Sequence, residues 1–273
     1  MNLDTLRVRQ DGAVWFAEIA APPMNLLGTE LVRDLVSLIR QAETGACQVL
    51  VFTSADPDYF ISHVDVTRIA EYREQTEKLT GQPSLGLMFR YLSTSRLVSI
   101  AQVEGRVRGA GSELVLACDM CFAARESAIF GQVEQGFGLI PGAGGIQHLT
   151  RLMGRKRALE VMLSADDYDA ELAERYGWIN RALPGAELAA FVRSLAHRIA
   201  AFPAAARAVL RDRVNAIALP PSEDFRRDSD LFLERARDPQ SQRRTRVAMT
   251  RGFQTREGEL ALGAMVKDLE NGG

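Results

Sequence analysis

Apolar and polar positions alternate at the start of the chain. Leu6-Arg-Val-Arg and Ala13-Val-Trp-Phe-Ala-Glu-Ile flank Asp11-Gly12. A period of two on either side of an Asp-Gly turn predicts a β-hairpin. Ala21-Pro-Pro-Met-Asn25 is a loop, because two prolines exclude a central strand. The spacing then changes to that of a helix over Leu31 to Ala42, with Leu31, Val32, Leu35, Leu38 and Ile39 on one face. Gln48 to Ser54 is an apolar run ending in a turn, the mark of a buried strand. A helix is expected to begin near Asp65 or Thr67 and run toward Arg73, and a second to span Leu85 to Thr94 with Ser84 as its N-cap. Leu97 to Val103 predicts a strand that runs into Gly105 and the turn Gly109-Ala110-Gly111, with a helix over Ser112 to Ala117. Met120 to Ala124 and Ala128 to Gly131 read as two further strands.

From Leu149 the pattern is helical almost throughout: 149–152, 155–163, 170–176, 188–200, 204–215, 223–236, 240–251 and 257–269. Pro220-Pro221 marks a break in this region. Repeated strand, glycine turn and helix predict an α/β core that is layered or spiralling rather than a Rossmann sheet. We expect residues 1–200 to form that core with its site, and residues 201–273 a helical region for oligomerisation and pocket closure.

A chain of 273 residues is long enough to bury roughly 75% of its unfolded surface. Its 33 basic and 35 acidic residues leave a net charge of −2, which gives no general attraction to nucleic acid or to an anionic membrane. No apolar run approaches the ~18 residues of a membrane span, and Met1-Asn-Leu-Asp-Thr carries no secretory signal pattern. Three cysteines, Cys47, Cys118 and Cys121, are an odd and sparse set that suits a reducing compartment, so a cytoplasmic location is expected. Cys118-x-x-Cys121 has metal spacing, but no second pair or nearby histidine completes a site; these cysteines read as structural.

The chemistry concentrates between Val103 and Gly145. A strand that turns through Gly109-Ala110-Gly111 into a helix leaves amides unpaired at the positive end of that helix, where a developing oxyanion is stabilised. Glu113 follows two residues later, and Glu134 precedes a second glycine-dense loop at Gly142–Gly145. Neither glycine turn has the third glycine of a dinucleotide fingerprint, and no P-loop is present. His63, His148 and His197 are scattered, which leaves little support for metal or Ser-His-Asp chemistry.

The order and spacing of several segments resemble the crotonase, or enoyl-CoA hydratase/isomerase, superfamily. They are Ala21-Pro-Pro-Met-Asn-Leu-Leu, Phe60-Ile-Ser-His-Val-Asp, Val103-Glu-Gly, Gly109-Ala-Gly-Ser-Glu-Leu-Val-Leu-Ala-Cys-Asp, Phe130-Gly-Gln-Val-Glu, Gly138-Leu-Ile-Pro-Gly-Ala-Gly-Gly and Phe253-Gln-Thr-Arg-Glu-Gly. The resemblance implies a crotonase-like spiral of ββα units with a helical C-terminal region that trimerises, as a homotrimer or a dimer of trimers. It also implies an acyl-CoA substrate, with coenzyme A brought by the substrate and no cofactor held permanently. By position the two oxyanion-hole amides fall on Ser62 and Ala110, and the two water-handling glutamates on Glu113 and Glu134. Met24, His63, Val64, Asp65, Gly109, Leu139, Pro141 and Gly142 are expected to contact substrate, with further walls from the Arg68–Met88 region. The implied reaction is syn addition of water to a 2-enoyl-CoA, as in fatty acid metabolism; the alternatives are a Δ3,Δ2-enoyl-CoA isomerase and a non-catalytic acyl-CoA-binding protein of the same fold.

The two glutamates should differ. Glu113 lies near a helix N-terminus, which favours its charged form and a role as base. Glu134 lies among Val133, Phe137, Leu139 and Ile140, where loss of water raises a carboxyl pKa and suits an acid. Several positions depart from the superfamily pattern. His63 stands where glycine is usual, Val133 replaces a common proline, and Leu97 and Glu104 replace commoner residues. Arg106 and Arg108 occupy a normally small or apolar segment, where they could meet cofactor phosphates, an acidic acyl group or solvent.

Overall fold

A computed structural model describes residues 3–269, so Met1 and Asn2 of the amino-terminal stretch and residues 270–273 lie outside it. The chain begins with the expected hairpin, β1 (Leu6–Asp11) and β2 (Val14–Ile19), and continues through α1 (Thr29–Thr44), β3 (Val49–Ser54) and β4 (Tyr59–Ile61). After α2 (Ile69–Thr80) comes α3 (Leu85–Thr94), where Ser84 Oγ accepts from the Leu87 amide as an N-cap. Next are β5 (Val98–Val103), β6 (Arg106–Arg108), α4 (Ala110–Ala117), β7 (Met120–Ala124) and β8 (Ile129–Gly131), followed by a 3-10 turn at Glu134–Phe137. The rest comprises α5 (Gly145–Ser164), β9 (Asp167–Asp169), α6 (Ala170–Tyr176), β10 (Arg181–Leu183), α7 (Gly185–Ala200), α8 (Ala204–Ala218), α9 (Ser222–Ala236), α10 (Pro239–Thr250), α11 (Arg256–Leu260) and α12 (Leu262–Lys267). The two helical stretches expected on either side of Gly154 are both present within α5, parted at Gly154, whose φ +75° and ψ 163° are not helical. The expected final helix is instead two, α11 and α12, meeting at Ala261.

Among the described residues the strands form a six-stranded sheet, β1-β2-β3-β5-β7-β10, and a four-stranded sheet, β4-β6-β8-β9. Apart from the antiparallel pairs β1–β2 and β8–β9, neighbours are parallel. The pairs β3/β4, β5/β6 and β7/β8 each place one strand in the large sheet and the next in the small one, so the chain advances as a spiral. Alternation along the large sheet divides its side chains between two cores. Leu50, Phe52 and Ala101 face the main core with α1, α3 and α4, while Val49, Val51 and Ile100 face Leu188, Val192 and Ala196 of α7.

The three cysteines are free thiols, and no metal-binding cluster occurs among the described residues. None of the helices described is long and apolar enough to cross a membrane. Helix α8 buries none of its residues and leaves Val209, Leu210, Val214 and Ile217 exposed.

The spiral brings β4 against the start of α4. A methyl group at Gly111 would lie 2.6 Å from the Ile61 carbonyl oxygen and 2.7 Å from Ile61 Cβ. The absence of a side chain lets the helix approach the strand. Gly111→Ala is expected to lower stability by about 1–3 kcal/mol through overpacking, measured by urea unfolding; a change below about 0.5 kcal/mol would mean that the contact relaxes freely.

Candidate active site

A narrow cavity, with a free volume of about 50 Å³, opens where α4 meets the loops after β4 and β8. His63 and Val64 wall it on one side, Gly109, Ala110 and Glu113 on the second, and Val133, Glu134, Phe137 and Leu139 on the third. The Gly142-Ala143 loop, α2, α9 and Phe253 close it.

The turn at Gly109 has φ +50° and ψ −127°, a conformation that suits glycine. The Gly109 amide is used by the Gly131 carbonyl, and α4 begins at Ala110. Among the described residues no acceptor takes the Ala110 amide hydrogen, as expected of the first turn of a helix. On the facing loop, the Leu27 amide donates to the His63 carbonyl and the Asp65 amide to the Leu27 carbonyl. That bridge sets the phase of the loop: amides 63 and 65 fall on one side of it and amide 64 on the other. The Val64 amide also has no acceptor among the described residues, and Val64 lines the cavity.

Ser62, the position expected from the resemblance, is not on the cavity wall, whereas Val64 is. Ser62 is fully buried and absent from the cavity wall, with its hydroxyl donated to the Met24 carbonyl. The sequence of the loop carries no sign of which of these two positions, equal in phase, reaches the cavity. Met24, Asp65 and Pro141 likewise stand behind the wall. Met24 is buried under Ser62, and Asp65 accepts from Thr67 and Gln254. His63, Val64, Gly109, Leu139 and Gly142 do line it.

Glu113 and Glu134 are both buried in this wall. Glu113 Oε1 accepts from the Ala143 amide at 2.7 Å and the Gly145 amide at 2.8 Å. The carboxylate is therefore served by the start of α5, across the cavity, rather than by its own helix. Burial has the largest influence and pushes Glu113 up to about 7, against the pull of those two amides. Glu134 is raised well above its ordinary 4.5, first by burial and then by the charge of Glu113. A methyl group on Gly109 would stand 3.1 Å from Glu134 Oε1, so this carboxyl lies directly over the glycine turn. Gln132 Nε2 reaches Glu134 Oε2 at 3.4 Å.

His63, the departure from glycine, belongs to a buried polar network. Its Nδ1 faces the Val64 carbonyl at 2.7 Å and its Nε2 faces Glu259 Oε1 at 2.8 Å. Its ring stacks on Phe253 with centroids 4.6 Å apart. Burial would push Glu259 up, but His63, the Gln254 amide and Arg108 outweigh it and hold the carboxyl below its ordinary range. Arg108, also fully buried, donates Nε and Nη2 to the two oxygens of Asp167 and Nη1 to the Glu259 carbonyl. Thus Arg108 joins β6 to β9 and α11, and is spent inside the protein. Arg106 lies over the Tyr59 ring at 6.0 Å.

The expected Arg68–Met88 region supplies Tyr72, Arg73 and Leu85 to the wall, and sequence reading missed Ser229, Phe232, Thr245 and Phe253. They come from helices and a loop far apart in the chain, and nothing local marks them as facing one cavity.

The profile of the family described as enoyl-CoA hydratase/isomerase matches residues 9–251. A probable enoyl-CoA hydratase of Mycobacterium bovis is 28% identical over 216 residues, 79% of this chain and 82% of that protein. The short-chain-enoyl-CoA hydratase of Clostridium acetobutylicum is 29% identical over 202 residues, 73% of this chain and 76% of its own. The crystal structure of a candidate enoyl-CoA hydratase from Streptomyces avermitilis superposes with a TM-score of 0.95 at 49% identity, covering 98% of each chain.

Two outcomes are expected. Glu259→Ala removes the acceptor of His63 Nε2 and of the Gln254 amide and leaves Arg108 with the carboxylate of Asp167 alone, and should cost about 1–3 kcal/mol in urea unfolding; a loss below about 0.5 kcal/mol would mean that the network is dispensable. The second concerns pH. A carboxyl whose folded pKa lies above its unfolded one holds its proton more tightly in the fold. Glu113 therefore carries no penalty below pH 4.5, and a penalty that grows to about pH 7 and then levels. Stability should fall across that window by about 3 kcal/mol, and Glu113→Gln should flatten the fall. An unaltered pH slope in the variant would contradict the shift.

Proposed function

Because the chain belongs to the enoyl-CoA hydratase/isomerase family, we propose that it is a hydratase, adding water across the double bond of a 2-enoyl-CoA thioester. The observation that carries this reading is the convergence of two buried carboxyls on one cavity whose rim holds two unspent amides, those of Val64 and Ala110.

The thioester oxygen accepts from those two amides. As negative charge moves onto it in the transition state, the hydrogen bonds strengthen, and the start of α4 adds the positive end of its dipole. Glu113, ionised, takes a proton from water as the water oxygen bonds to C3. Glu134, held protonated by its apolar surroundings, gives its proton to C2. One water is consumed, and exchange of one proton between the carboxyls and solvent restores the starting state. Isomerisation would require a single carboxyl; the clamp of two amides on Glu113 supports a working role for the second. The free volume of about 50 Å³ favours a short acyl group. The exposed apolar residues of α8 support self-association, in keeping with the trimer that the superfamily resemblance implies.

Crotonyl-CoA hydration, followed by loss of enoyl absorbance and by product mass, tests the reading. The rate should rise as pH increases through about 7, where Glu113 ionises, and fall at higher pH as Glu134 loses its proton. Since the carboxyls influence each other, both limbs belong to the pair. Glu134→Gln should cut turnover at least about 100-fold while crotonyl-CoA still binds. Undiminished turnover in that variant would remove Glu134 from the reaction, and a product of unchanged mass with a shifted double bond would replace hydration by isomerisation.

A further inference from the structure

The cavity contains a cation that the reaction above does not use. Arg73, on α2, is only 9% exposed and walls the same cavity as Val64, Ala110 and the two glutamates. Among the described residues its guanidinium makes one hydrogen bond, from Nη1 to Ser229 Oγ at 2.8 Å, and no ion pair. The carboxylates around it are engaged elsewhere. Asp230 pairs with Arg226 at 2.6 Å, Asp228 accepts from Gln147 at 2.8 Å, and Glu113 is clamped by two amides. Burial pulls the Arg73 guanidinium down from its ordinary value, which records the cost of holding it out of water. A charge in such a place normally has a partner, because an unpaired one forfeits its hydration without return.

Apart from Tyr72 and Thr245, the remaining wall is apolar: Val66, Leu85, Phe137, Leu139, Phe232 and Phe253. A purely aliphatic acyl chain would fit such a wall better without the arginine. Five donors in a planar fork, with one spent on Ser229, match a carboxylate that arrives with the ligand.

We infer that Arg73 is a substrate-selecting residue and that the acyl group handled here is a short one carrying its own carboxylate. The inference rests on the acyl-thioester reading of this cavity. It adds the substrate class: an enoyl-CoA ester with an anionic acyl portion rather than a simple fatty acyl chain.

The test compares binding of glutaryl-CoA and valeryl-CoA by calorimetry. Their acyl groups are equal in carbon number, differ in the terminal carboxylate, and have no double bond to react. Wild-type protein should prefer glutaryl-CoA by about 10- to 100-fold, the range of a hydrogen bond to a charged group. Arg73→Met should collapse the preference, and Arg73→Lys should restore part of it. Equal binding of the two esters by the wild type would overturn the inference, and that measurement needs no variant to fold. Equal weakening of both esters in Arg73→Met would overturn it too, since the guanidinium would then be meeting the phosphates common to both. Hydration of glutaconyl-CoA, the 2-enoyl ester with the same terminal carboxylate, is assayed alongside. Retained glutaryl preference without its hydration would sink the hydratase reading and leave the anion selection standing.

Discussion

The site depends on one piece of backbone, the turn at Gly109 that carries β6 into α4. It must present the Ala110 amide to the cavity, pass beneath the Glu134 carboxyl, and start a helix whose first turn holds Glu113. The positive φ favours glycine there, and a methyl group would stand 3.1 Å from Glu134 Oε1, close enough to push that carboxyl aside by a few tenths of an ångström. The positive φ and the crowding have the same solution. Gly111, two residues on, lets α4 lie against β4, and so fixes the distance between the two amide-bearing loops. The chemistry is thus set by how closely main chain can approach main chain, with the side chains arranged around that approach.

Two of the departures from the superfamily pattern, His63 and Arg108, meet in one network through Glu259. A histidine in place of glycine at position 63 would be a large intrusion beside the turn. It is accommodated because the segment from Phe253 to Glu259 folds over it: Phe253 stacks on the ring, Gln254 accepts from the Val66 amide and donates to Asp65, and Glu259 takes Nε2. Arg108 anchors the far side of Glu259 through its carbonyl and passes on to Asp167. Arg256 reaches the Pro23 carbonyl and Asp58, and lies over the Tyr59 ring. The late segment therefore braces the loop that carries the Val64 amide. An arginine that looks from sequence like an anion receptor is a structural tie, and the cation left for a ligand is a different one.

The parts legible in sequence were those with a strong period or a capping residue. The hairpin, α1, β3, β5 and the Ser84-capped α3 follow from alternation, helical spacing or turn chemistry, and the structure has them. The small sheet was hard to read because β4, β6 and β9 are three residues each, too short for a period of two to emerge, and form only because neighbouring strands supply their hydrogen bonds. In the site, the glycines and both glutamates stood out as types and spacings. The choice between Ser62 and Val64 did not, since two positions of equal phase are told apart only by which of them the fold places on the cavity wall. The donors that serve Glu113 were also hidden, because they belong to α5, about thirty residues later in the chain.

The electrostatics of the cavity follow from how burial sorts two of its carboxyls and its arginine. A carboxyl out of water gains by keeping its proton, so Glu134 is held neutral, and the charge of Glu113 reinforces this. A neutral Glu134 cannot act as counter-ion to anything. Glu113 has its charge spread over two amides and is still pushed upward by burial. An arginine has no such escape, because its guanidinium keeps its proton even when burial makes that costly. The same dry wall that prepares one acid to donate a proton therefore leaves Arg73 as the group in the cavity whose charge is not answered from within, and an anion delivered with the acyl group would complete the balance.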